Sequence, residues 1–175
     1  MKLLKIAVMI VGLSYGQITL ADSPLVYSKQ VPGNFDKTYK NVFTALEDNG
    51  YYIIFEPNIG KNLAYFKDRW GKEYNKNKLE AIRGMVFCSA SHANEISNLD
   101  PLLLALCPLH ITLTHKEGNT QILFVRPSLI ASGSPAEKVA VELEQDVIRT
   151  IESAVKGAVV APIATPTPIP EKSPQ

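Results

Sequence analysis

Apolar and polar positions recur along this chain with two different periods, and each change of period marks an element. Phe35, Tyr39, Val42, Phe43 and Leu46 return every three or four residues, which predicts a helix. Asn34 stands at its start, where a short polar side chain caps free amides. Asp36 suits the positive end of the helix dipole, and Gly50 supplies the exit. Residues 25–31 ahead of it read as a strand closed by Pro32-Gly33. Residues 51–55, YYIIF, are apolar on both faces, the pattern of a central strand rather than an edge.

Further along, residues 85–88 read as a third strand, and Ser89 or Ser91 can cap a short helix carrying Ala93 and Ile96. Asp100-Pro101 restarts a helical turn over residues 102–106, and Pro108 stops it. Residues 109–115 alternate, with Leu109, Ile111 and Leu113 on one face and His110, Thr112 and Thr114 on the solvated other. A turn at 116–119 returns the chain as a hairpin over residues 120–126. From Ser134-Pro135 the last helix follows, with the stripe Ala136, Val139, Ala140, Leu143, Val147, Ile151, Ala154 and Val155. Glu137, Glu142, Glu144, Asp146 and Glu152 are assigned to its outer face. The order is β-α-β-α-β-α-β-β-α, an α+β fold with helices packed on a mainly antiparallel sheet in a single compact domain.

Composition changes this picture mainly at the two ends. Lys2 and Lys5 flank an apolar run, residues 6–13, too short to span a bilayer, and Thr19-Leu20-Ala21 places small residues before a cut. This is the pattern of a secretory signal, residues 1–21, removed after Ala21; the alternative is a short amino-terminal anchor. The expected mature protein is periplasmic or secreted and not integral to the membrane, so its cysteines meet oxidising conditions. Residues 157–175 hold five prolines and no helical period, which reads as a Pro-rich disordered tail or spacer. The domain is therefore residues 22–156. Formal charge is +1, or −1 without Lys2 and Lys5, so no global field draws nucleic acid to it.

Candidate chemistry falls in two stretches. Residues 61–83 carry seven Lys/Arg against three acids, interleaved with Tyr65, Phe66, Trp70 and Tyr74. Aromatics among cations can hold an anionic or apolar ligand, which nominates Trp70, Tyr65, Arg69 and Lys72. The competing reading is a short helix over residues 62–70 that buries its rings and solvates its charges. Residues 87–110 hold both cysteines and two of the three histidines. Cys88, His92, Cys107 and His110 supply the ligand types of a zinc site, but at spacings unlike the usual tight pairs. Cys88 with His92 one turn away also resembles a nucleophile and base without a third residue to orient them. The leading reading is a Cys88–Cys107 disulfide, with two free buried thiols as the remaining alternative. No G-x-S-x-G, H-E-x-x-H or phosphate-binding glycine loop is present.

The succession of the helix ending at Gly50, an apolar strand, Phe87-Cys88 with Ala93 in the next helix, Asp100-Pro101, Pro108 and Arg126-Pro127 resembles a known pattern. It is that of the bacterial "domain of unknown function 302" family, over roughly residues 25–156. The resemblance implies a compact α+β domain and brings no activity, cofactor or catalytic residue. Many members read Pro-Cys where this chain reads Pro108-Leu109, so nothing tied to that cysteine transfers to Cys107. With no cofactor implied, three readings stand. A non-catalytic envelope module binding a small ligand predicts a pocket between the 61–83 segment and the sheet. A homodimeric or partner-binding protein predicts an exposed apolar patch, with the acidic last helix facing the basic segment. A thiol- or metal-dependent enzyme would need Cys88 and His92.

Overall fold

A computed structural model describes residues 24–156 of the protein. The secretory segment expected at 1–21 and the proline-rich stretch at 157–175 lie outside the described residues. Among the described residues five strands form one sheet: β1 (Val26–Pro32), β2 (Tyr52–Phe55), β3 (Ala81–Cys88), β4 (Leu109–Lys116) and β5 (Asn119–Val125). Their spatial order is β1-β5-β4-β3-β2, and every neighbouring pair is antiparallel. Helices α1 (Phe35–Asp48) and α6 (Glu137–Val155) cover one face of this sheet. The expected α+β class and single domain are what the structure shows.

The two periods of the sequence meet in the core. Met85 and Phe87 of β3, Ile111 and Leu113 of β4, and Ile122 and Phe124 of β5 point at the helices and are fully buried. Val42 and Leu46 of α1 with Val147 and Ile151 of α6 close over them, equally buried. Asn34 caps α1 as its sequence suggests, its Oδ1 accepting from the Lys37 amide at 2.9 Å. No helix among the described residues is long and apolar enough to cross a membrane.

Three expectations need correction. Strand β2 is an edge, not a central strand: it pairs only with β3, and Tyr52, Ile54 and Phe55 face solvent while Tyr51 just ahead of it is buried. The 61–83 segment does not bury its rings in one helix. It breaks into α2 (Ile59–Ala64) and α3 (Lys67–Trp70) with a 3₁₀ turn at Gly71–Glu73, and none of the three buries a residue. Nor do all the acids of α6 form an outer face: Glu137 and Glu142 are exposed as expected, but the other three are held by partners. Glu144 is only 6% exposed, held by Arg126 and Ser128, while Asp146 accepts from Tyr51 and Glu152 from Tyr27 and Lys29.

Candidate functional site

The face of the sheet away from α1 and α6 is only partly covered, and its cover is built from the residues after β2. Pro57 crosses β3 at Gly84, whose amide donates to the Pro57 carbonyl at 2.9 Å. A Cβ on Gly84 would stand 3.0 Å from the Pro57 ring, tighter than ordinary side-chain contact, so glycine lets the two come this close. Helix α2 then packs on β3, and the chain returns through a turn at residues 75–79. Asn75 holds that turn from both sides: its amide donates to the Leu79 carbonyl at 2.8 Å and its Oδ1 accepts from the Leu79 N–H at 2.9 Å. Asn75 and Lys78 both take left-handed backbone, φ 45° and 55°, a conformation asparagine tolerates better than most residues.

This pinned turn overhangs the uncovered part of the sheet and leaves a cleft of about 490 Å³. Its floor comes from alternate residues of three strands, brought together by register: Thr114 pairs with Gln121, and Gln121 with Gln30. Leu123 extends the floor, Asn77 and Leu79 form the overhang, and Lys116, Glu117 and Asn119 of the β4–β5 turn close one end. The charges nearly cancel, since Lys116 Nζ lies 3.8 Å from the Glu117 carboxylate. What remains is a neutral lining of amides and a hydroxyl over leucine. Such a surface can donate and accept hydrogen bonds but exerts no net field on an ion.

A pocket between the 61–83 segment and the sheet thus exists, but the aromatic and basic residues named from the sequence do not line it. Tyr65 meets Phe66 edge-on and Phe66 stacks on Trp70 at the outer surface, with ring centroids 5.2 Å apart in each pair. Tyr65 is 85% exposed and Trp70 39%. Arg69 and Lys72 stand exposed beside them. The lining residues Gln30, Asn77, Thr114 and Gln121 carry no motif. Their only sequence signal is the outward alternation of β4, which shows which side chains point away from the core but not what they meet.

The cysteine and histidine stretch separates. Cys88 Sγ and Cys107 Sγ stand 2.9 Å apart, and Ser89 Oγ meets His92 Nδ1 at 2.8 Å beside them. His110 is exposed on β4, where its alternation places it with Thr112 on the uncovered face, so the four do not converge. Among the described residues no group of three or more His, Cys, Asp or Glu is placed to hold a metal ion. Burial pushes the Cys88 thiol up to about 11, and its contact with Cys107 adds to that. At neutral pH it is a protonated thiol, the wrong state for a nucleophile.

Fold and site together define a class: a single α+β domain, one antiparallel sheet, the two long helices on one face and a walled cleft on the other. The chain belongs to the family described as Domain of unknown function DUF302, whose model matches residues 27–156. A crystal structure of an uncharacterized conserved DUF302 protein from Bacillus stearothermophilus is similar, with TM-score 0.64 at 14% identity. The match spans 75% of this chain and 99% of that one, and at such identity the likeness is one of fold. No curated protein matches the chain.

Proposed function

We propose that the chain is an exported, non-catalytic binding protein that holds a small neutral ligand in the cleft on the uncovered sheet face. The observation that carries this reading is the cleft itself. Its volume of about 490 Å³ lies in the range small-molecule sites occupy, roughly 300–1,000 Å³. Its floor is paired strand and its overhang is pinned by Asn75, so the site is formed before any ligand arrives. Amides above leucine suit a neutral polar molecule with one apolar side, rather than the anion suggested by the basic composition of the neighbouring segment. The protonated state of Cys88 supports a non-catalytic reading over a thiol enzyme.

One feature favours a second reading, a homodimer or partner-binding protein. Edge strand β2 presents Tyr52, Ile54 and Phe55 beside a free backbone edge, a template for another strand. Native mass spectrometry of the full chain purified from the cell envelope separates the two. The binding reading expects a monomer carrying a small adduct that disappears in Thr114→Trp, a substitution that sets an indole on the cleft floor. A bare monomer overturns it, and a bare dimer moves the function to the β2 edge.

A further inference from the structure

We infer that Cys88 and Cys107 form a redox modification site, at which an intrachain disulfide closes the neck of the lobe made by residues 89–106. Cys88 is the last residue of β3, and Cys107 ends the 3₁₀ turn Pro101–Leu106 just ahead of β4. These strands are sheet neighbours with Phe87 opposite Leu109. The chain therefore leaves the sheet and returns to it at adjacent points, and everything between them is α4 (Ala90–Leu99) and the 3₁₀ turn. The two thiols stand at the base of that excursion, 2.9 Å apart. Behind them Ala93, Ile96, Leu103, Leu106 and Leu143 enclose a cavity of about 20 Å³, room for about one water. Leu143 belongs to α6, so the lobe packs on that helix while its neck joins it to the sheet.

Closing the neck removes two protons and two electrons from the dithiol. The acceptor is a second disulfide, low-molecular-weight or protein-borne, which leaves as two thiols. Exposure sets the order. Cys107 is part exposed and Cys88 buried, so Cys107 as thiolate attacks one sulfur of the acceptor and expels the other as a thiolate. Cys88 then loses its proton to the expelled thiolate and attacks Cys107 Sγ. The new bond forms within the chain, and the second acceptor sulfur departs. Burial first, and then the hydrogen bond and charge of Cys107, hold the Cys88 thiol protonated. Tying up Cys107 in the mixed disulfide removes the second and third of these causes, which favours the attack of Cys88 at that stage.

Incubation of the reduced full-length protein with oxidised glutathione tests this. The expected product has lost the mass of two hydrogen atoms, has no alkylatable thiol, and melts higher than the reduced form. Cys88→Ser is expected to stop at a mixed disulfide, gaining one glutathione on Cys107, while Cys107→Ser stays unmodified. A limiting dose of alkylating reagent on the folded wild-type protein reads the order without a substitution, and the first labelled peptide should contain Cys107. Two alkylatable thiols after oxidation would overturn the disulfide, and first labelling of Cys88 would overturn the order.

Discussion

At the residue scale, three tyrosines act as polar anchors rather than as hydrophobic filler. Tyr27 donates to Glu152 and Tyr39 to Glu56, each at 2.7 Å, and Tyr51 to Asp146 at 2.8 Å. Tyr39 also lies under the Arg83 guanidinium, 3.8 Å from its ring centroid, and within 3.0 Å of the Gly84 carbonyl. Burial first, and then the carboxylate partner, raises each phenol well above its usual 10.0. A raised folded-state value means the protonated phenol contributes stability in full below pH 10 and loses it as pH rises beyond. Absorbance titration should therefore show Tyr27, Tyr39 and Tyr51 resisting ionisation until the chain unfolds. Ionisation of these three near pH 10, with the fold intact, would refute the anchoring.

At the scale of elements, Glu144 joins two helices that the periodicity of the sequence treats separately. Its carboxylate accepts from the Ser128 amide and from Arg126, each at 3.2 Å, and from the Ser128 hydroxyl. Ser128 lies in the first turn of α5 (Pro127–Ile130), so the contact fixes the chain leaving β5 against α6. Removing a buried acceptor strands its donors, at about 1–3 kcal/mol. Glu144→Ala should lower the unfolding free energy by that order and shift the urea midpoint down, whereas Glu142→Ala, whose only partner among the described residues is exposed Lys138, should leave the midpoint nearly unchanged. Equal midpoints for the two variants would return Glu144 to the role of a surface charge.

At the scale of the whole molecule, the long helices α1 and α6 on one face and only the short α2 on the other give the protein two unlike sides. The covered side holds the core, and the other holds a cleft whose floor needs β1, β4 and β5 in register at once. The proposed role in the cell envelope depends on export. Amino-terminal sequencing of the mature protein is expected to begin at Asp22, and a mature chain beginning at Met1 would remove the protein from that compartment.

Sequence alone determined what depends on near neighbours. The stripe of α6, the Asn34 cap, the β4 alternation and the β4–β5 hairpin are set by residues within a few positions of one another, and they stand where their periods put them. Strand order was different. An apolar run such as YYIIF fits an edge as well as a centre until the other strands have paired, and here β2 ended outermost. Likewise the basic, aromatic segment looked like a binding surface by composition, yet its turn reaches the cleft through Asn77 and Leu79 rather than through its rings. Helical period alone puts Glu144 on the solvated face, because it cannot show that Arg126 and Ser128 come to meet it. Cys88 and Cys107 approach one another only because β3 and β4 are sheet neighbours and α4 ends at Leu99, letting the chain fold back. Each of these outcomes rests on contacts between residues distant in sequence, which only the assembled sheet brings together.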